Sequence, residues 1–197
     1  MDSYHHGNLR AALLKAAFQL IGKIGPEAFT LREVARRAGV SHNAPYRHFK
    51  GKEDLLAALA TDSFRQLNEA VIRGIAGAVE APVERLRAAA RAYLHFGLAN
   101  RARFQAMFHS TFDRQEYADY VANYSAALTL LDGLLVECLP PGALPSEIPG
   151  QLVWASIHGI TELGIAARLE DGDRERLLLL VDAAVDTLLK GLQHVRM

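Results

Sequence analysis

The sequence predicts an all-α protein, and three observations carry that prediction. Apolar residues recur at the helical interval of three to four along nearly the whole chain. No stretch alternates apolar and polar residues with the β-branched or aromatic enrichment of a strand, and the breaks between periodic stretches carry helix caps and stops. About nine helices are expected, arranged as a three-helix head and a C-terminal helical bundle. With 197 residues, half of them hydrophobic, the chain can bury a substantial core in one or two domains.

Taken in order, Leu13, Ala17, Leu20, Ile21 and Ile24 form one stripe of a first helix, which Gly25-Pro26 stops. Thr30 followed by Glu33 is a capping box, in which each side chain satisfies a backbone N–H at the start of a second, shorter helix. Leu31, Val34, Ala35 and Ala38 are its inward face, Gly39 ends it, and Ser41 can cap the next helix. That third, short helix is expected from about His42 to Phe49. After Lys50-Gly51-Lys52 a longer helix begins at Glu53-Asp54, whose acids suit the positive end of the helix dipole. Pro82, Phe112-Asp113, the Pro140-Pro141-Gly142 run with Pro145 and Pro149, and Gly172 then divide about five further helices. The last two are expected at about Pro149–Glu170 and Asp173–Val195, and the proline-rich stretch from Leu139 to Gly150 reads as a connector between helices.

Charge is unevenly spread. Met1 to Lys52 holds nine Lys and Arg against three acids, a net of +6, and since the whole chain sums to zero the remainder carries −6. A basic head on an acidic body is the footprint of a protein that meets a phosphate backbone at one end. Cys138 is the only cysteine, which excludes an intramolecular disulfide and a multi-cysteine metal site and fits a reducing, cytoplasmic setting. The polar start MDSYHHGNLR is not a signal peptide, and His158 and Glu162 interrupt the apolar stretch from Val153 to Ala167, so no membrane segment is expected. No cofactor and no metal site is expected either.

The string TLREVARRAGVSHNAPYRHFKGKEDLL, Thr30 to Leu56, has the anatomy of a helix-turn-helix: a capped helix, a tight turn at Gly39 and a second short helix. At helical spacing His42, Asn43, Tyr46 and Arg47 share one arc, a face of hydrogen-bonding and cationic groups without an acid. Lys50 and Lys52, beside the N–H groups that open the next helix, make a phosphate clamp. Tyr4-His5-His6-Gly7-Asn8 reads equally as a minor-groove arm working with Arg10 or as an unfolded end.

This string resembles the TetR family of repressors, in which a Thr, a Val-Ala pair, Ala-Gly-Val-Ser, Tyr-x-His-Phe and a Lys recur in order. Thr30, Val34, Ala35, Ala38, Gly39, Val40, Ser41, Tyr46, His48, Phe49 and Lys52 stand where that pattern places them. The resemblance implies a recognition helix at His42 to His48 in the major groove, Thr30, Tyr46, His48 and Lys52 near phosphates, and His42, Asn43 and Arg47 reading bases. Arg32 and Ser41 complete the expected DNA-binding set. Pro45 departs from the pattern, which often has Leu or Ile there, and it removes a helical N–H and restricts Ala44. A second, shorter string, Trp154-x-x-x-His158-Gly159, is similar to the mark of one TetR subgroup with its own type of C-terminal domain.

The last helix carries Leu177, Val181, Ala184, Val185, Leu188 and Leu192 on one side, while Leu178, Leu179, Leu180 and Leu189 cover much of the rest. Such a helix needs cover on two faces, and a second copy of the chain supplies the outer one. Small residues Ala155, Gly159, Gly164 and Ala167 in the preceding helix permit close approach, so the two helices are expected to form a four-helix seam in a homodimer. The partners implied are a palindromic double-stranded operator, a second copy and an unidentified small-molecule effector.

Between head and seam the chain is rich in aromatics, most of which belong in a core. His95, Met107, Phe108, Tyr124, Trp154 and His158 are the candidate effector-pocket residues, with His109 a further polar member. Three functions are compatible with these features: a repressor released by an apolar effector, an effector-independent or architectural DNA-binding protein, and an all-α enzyme using His158 with Glu162 at i,i+4. No nucleophile motif or glycine-rich phosphate loop accompanies that pair, so an enzyme is not expected. The domains read as 1–52 for DNA binding and 53–197 for regulation and dimerisation.

Overall fold

A computed structural model describes residues 6–108, 110–140, 147–167 and 171–194. The described residues form eight α-helices and two short 3-10 segments, with no strand among them. The α-helices are α1 (His6–Ile24), α2 (Leu31–Ala38), α3 (Lys52–Ala76), α4 (Pro82–Ala99), α5 (Arg101–Phe108), α6 (Ala118–Cys138), α7 (Glu147–Ala166) and α8 (Asp171–His194). Pro45–Arg47 and Arg114–Glu116 are the 3-10 segments. The expected third helix from 42 to 49 is therefore reduced to a turn and one 3-10 turn. Tyr4, His5, His109, Val195 and residues 141–146 of the expected 139–150 connector lie outside the described residues.

Packing divides the chain into two compact units, Met1–Arg65 with Asn100–Asn123 and Gln66–Ala99 with Tyr124–Met197. In the first, the inner stripes of α1 (Leu13, Ala17, Ile21) and α2 (Leu31, Val34) close over Phe29, Phe49 and Leu55, Leu56 and Leu59 of α3. Each large side chain removed from water there stabilises the head by about 1.5–3 kcal/mol. Ala106 of α5 is part of the same core and Ala102 and Phe112 pack against it, so the segment from 100 to 123 folds into the head although it is distant in sequence. Gly25 stops α1 with φ of 81°, a conformation that penalises any residue with a Cβ.

In the second unit α4, α7 and α8 pack on one another. Leu86, Ala90, Tyr93, Leu94 and Gly97 form the inner face of α4, Val153, Ile157, Ile160 and Thr161 that of α7, and Val181, Val185, Leu189 and Leu192 that of α8. Leu189, expected on the outer side of the last helix, is thus inward. Two half-buried guanidiniums fix the register of α4 on α8. Arg91 is bidentate to Asp182 at 2.5 and 2.7 Å, and Arg87 holds Asp186 at 2.5 and 3.0 Å. Gly74 of α3 lies so close to α4 that a Cβ there would stand 2.9 Å from that of Ala92.

By length and composition α6 is the one described helix apolar enough to cross a membrane. Asp132 near its centre argues against that reading, since a carboxylate in hydrocarbon is costly. Its Glu137 instead accepts from Arg85 of α4 at 2.5 Å, and Leu134 and Leu135 are buried.

Candidate nucleic-acid interface

The site is built on the α2 scaffold. Thr30 caps α2 from an extended backbone, its hydroxyl accepting from the Glu33 N–H at 3.3 Å while its own N–H donates to the Glu33 carboxylate at 2.8 Å. The Thr30 hydroxyl also donates to that carboxylate at 2.9 Å, and this bond together with the backbone one holds the Glu33 carboxyl below its ordinary range. At the other end Gly39 takes the left-handed conformation (φ 71°), so that Val40 N–H reaches Ala35 O at 3.0 Å and Gly39 N–H reaches Arg36 O at 3.3 Å. This paired closure satisfies two carbonyls that the helix end would leave open.

The chain then turns through Ser41–Ala44, closed by Ala44 N–H to Ser41 O at 3.0 Å, and enters the 3-10 turn at Pro45. Pro45 opens the short element, at a position where a missing N–H costs least. It has no N–H to give, so the first hydrogen bonds come from Arg47, His48 and Phe49, the latter two both ending on Pro45 O at 2.9 Å. Ser41, expected as a cap, contributes its carbonyl only, and Ala44 takes the capping position without a side-chain bond.

Burial sorts this segment into two sides. Ala44, Pro45 and Phe49 face the core, whereas Ser41, His42, Asn43, Tyr46 and Arg47 are exposed, Tyr46 by 54%. Ala44 is therefore buried and Asn43 faces outward. Among the described residues the side chains of His42, Asn43 and Arg47 have no hydrogen-bond or ionic partner. Arg32 is exposed on α2, and His48 is half-buried, its ring tilted against Phe49.

Lys52 differs from the expectation of a free clamp. Its ammonium lies 5.1 Å from the centre of the Phe29 ring, donates to the Glu27 carbonyl at 2.5 Å and stands 3.9 Å from the Glu27 carboxylate. Glu27 is in turn gripped by Thr111, whose N–H and hydroxyl both donate to Oε1, at 3.0 and 2.6 Å. Sequence reasoning missed Glu27 and Thr111, since they lie 84 residues apart and nothing local pairs them. It also left open what Arg10 does, and Arg10 is stacked over Phe49 at 5.5 Å.

The expected effector-pocket residues fall in both units. Met107 and Phe108 belong to the first, where Met107 is fully buried and Phe108 packs on Phe64 and Phe104. His95, Tyr124, Trp154 and His158 belong to the second. Trp154 stacks on His158 with ring centres 5.1 Å apart, and the Tyr93 hydroxyl meets His158 Nδ1 at 2.9 Å. Burial drives the Tyr93 hydroxyl far above the ordinary phenol range, so it stays protonated; its oxygen takes the Trp154 N–H, and its proton is left to donate to Nδ1. Glu162 lies 4.0 Å from the other ring nitrogen. His95 is exposed, because two residues along a helix from buried Tyr93 it points to the other side.

Two family models match the chain. The one described as "Bacterial regulatory proteins, tetR family" matches residues 13–59, and "Tetracyclin repressor-like, C-terminal domain" matches residues 86–188. The HTH-type transcriptional regulator BetI of Stenotrophomonas maltophilia is 38% identical over 79 residues, 40% of each chain. The class C tetracycline repressor protein of Escherichia coli is 45% identical over 51 residues, 26% of this chain and 23% of that one. The matches thus span well under half the length of these curated relatives. A solved structure of a protein of unknown function from Rhodococcus sp. RHA1 is 30% identical with a TM-score of 0.78, covering 98% of this chain and all of that one. The fatty acid degradation regulator FadR from Bacillus halodurans, 21% identical, shares the fold with a TM-score of 0.73 over 95% of this chain and 97% of its own.

Proposed function

Since the chain belongs to the TetR family of bacterial regulatory proteins, we propose that it is a homodimeric, sequence-specific DNA-binding transcriptional regulator, a repressor released from a palindromic operator by a small apolar effector. One observation carries this reading: the acid-free face of Ser41, His42, Asn43, Tyr46 and Arg47, exposed on a backbone whose Ala44, Pro45 and Phe49 are anchored in the core. A solvated turn has no need of so rigid a support, whereas base readout requires side chains held in register. Residues 1–52 carry DNA binding and 53–197 regulation and dimerisation. His42, Asn43 and Arg47 read base edges; Thr30, Arg32, Ser41, Tyr46, His48 and Lys52 meet the backbone. A protein of this kind works in the cytoplasm and performs no catalysis.

Operator binding should weaken steeply with salt, because each neutralised phosphate releases counterions and contributes a slope of about −0.9 in log K against log salt. Titration of a selected operator duplex across a salt series checks this, and a flat response contradicts the basic head.

The effector reading rests on the Tyr93–His158–Trp154 cluster, an aromatic wall with polar groups at fixed positions. It also supports assignment to the subgroup marked by Trp154-x-x-x-His158-Gly159. A polar side chain in place of Trp154 is expected to change effector response while leaving effector-free operator affinity within about twofold. Equal losses in both would mean that the substitution disturbs the fold, and the pocket would have to be sought elsewhere.

A further inference from the structure

Lys52 is the one member of the expected phosphate-contacting set whose charge is already engaged within the head. Its ammonium spends one donor on the Glu27 carbonyl, and the Glu27 carboxylate stands 3.9 Å away. The Glu27 side chain is 56% exposed, so its charge stands open to solvent beside Lys52. It is also fixed: Thr111 donates twice to its Oε1. A free glutamate side chain would swing aside as a phosphate came near, but this one is held beside the cation. Hydrogen bonding by the Thr111 side chain, opposed by some burial and helped by the Thr111 N–H and by Lys52, holds the Glu27 carboxyl below its ordinary range, so the group is charged at neutral pH.

From this geometry we propose that Glu27 competes with the operator backbone for Lys52, and that Thr111, by pinning the carboxylate, sets how strongly it competes. The inference rests on the DNA-binding reading above and adds two residues that it does not contain. With Thr111 in place, a phosphate reaching Lys52 meets a like charge and must share the ammonium. With the two Thr111 bonds broken, the carboxylate turns to solvent and Lys52 gains a full phosphate contact. Glu27 and Thr111 are thus positioning residues for a cation that grips the backbone. Thr111 is well placed for such a role, since it lies between α5 and α6, seven residues before the helix that continues into the second unit.

The test uses the full-length protein and an operator duplex selected from random sequence. Glu27→Gln is expected to tighten operator binding about three- to tenfold by removing the repulsion, and to steepen the salt slope toward one additional phosphate. Thr111→Val should act in the same direction but less, because its N–H remains, and Thr111→Ser should restore wild-type affinity. In a Lys52→Ala background Glu27→Gln should lose most of its effect. Weaker or unchanged binding by Glu27→Gln, or the same gain without Lys52, overturns the proposal. Should Glu27→Gln fail to fold, Thr111→Val and Thr111→Ser carry the comparison. A wild-type protein that selects no operator, or a Lys52→Ala variant with wild-type affinity and salt slope, defeats instead the reading of Lys52 as a backbone contact.

Discussion

Replacing Arg47 with alanine is expected to weaken specific operator binding by about 1–3 kcal/mol per half-site, roughly five- to 150-fold, and by nearly twice that free energy across both halves of a palindrome. Arg47 closes the 3-10 turn with its side chain exposed and unpartnered among the described residues, so its five donors are available for a guanine edge or a pair of phosphate oxygens. The substitution removes no buried contact, so thermal stability should stay within about 0.5 kcal/mol of wild type. Dimer mass should not change. Two measurements separate the possible roles. For a base contact, competition with operators altered one pair at a time should show preference lost at one position. For a phosphate contact, affinity falls evenly over all sequences and the salt slope drops by about one contact. Undiminished affinity with an intact dimer would remove the segment after Ser41 from the interface.

Much of the head was legible because its signals are local. Thr30 with Glu33 and Gly25 and Gly39 at the helix ends act within a few residues, and each is found in the role its chemistry predicts. Pro45 was legible as a disturbance but not in its outcome. Whether a proline after the turn merely bends a helix or reduces it to one 3-10 turn depends on how Ala44 and Pro45 are buried, which is a tertiary fact. Lys52 shows the limit more sharply. Its spacing marks it as a backbone clamp, yet its carboxylate neighbour is placed by Thr111, and no periodicity links residues so far apart. The same holds for the segment from 100 to 123, which joins the head through Ala102, Ala106 and Phe112 although the pattern of helices suggests it belongs with the C-terminal bundle. In the Tyr93–His158–Trp154 cluster the motif supplied Trp154 and His158, while Tyr93, lost among the aromatics as core, supplies the hydroxyl that meets the imidazole. Pairing across helices, unlike capping, leaves no mark on either partner alone.

The second large effect is expected at the outer faces of α7 and α8. On α7, Ile148, Leu152, Ala155, Gly159, Leu163 and Ala166 recur at intervals of three and four, and all are exposed, Leu163 by 68%. On α8, Leu179, Leu180, Ala183 and Gly191 are exposed, Leu179 by 66%. Gly164 of the expected small residues is buried within its own unit, so close approach by a second copy would fall to Ala155, Gly159 and Ala167. Leucines this open, lined with small residues along two neighbouring helices, call for a cover that the inner faces of these helices do not provide. In a twofold arrangement each substitution is introduced twice, so Leu163→Arg would set two like charges near one axis in a desolvated seam. The expected loss is about 3–5 kcal/mol of association free energy, enough to turn a micromolar dimer into a monomer at the same concentration. Because Leu163 is already exposed in a single chain, helicity should be preserved. Operator binding should nonetheless collapse, since each head alone would hold only one half-site and the gain from linking two would vanish. Restoring the dimer by a fused second copy should bring binding back, which distinguishes a lost partner from a damaged head. A Leu163→Arg chain that still sediments as a dimer would move the seam away from these helices, and with it the spacing of the recognition segments on DNA.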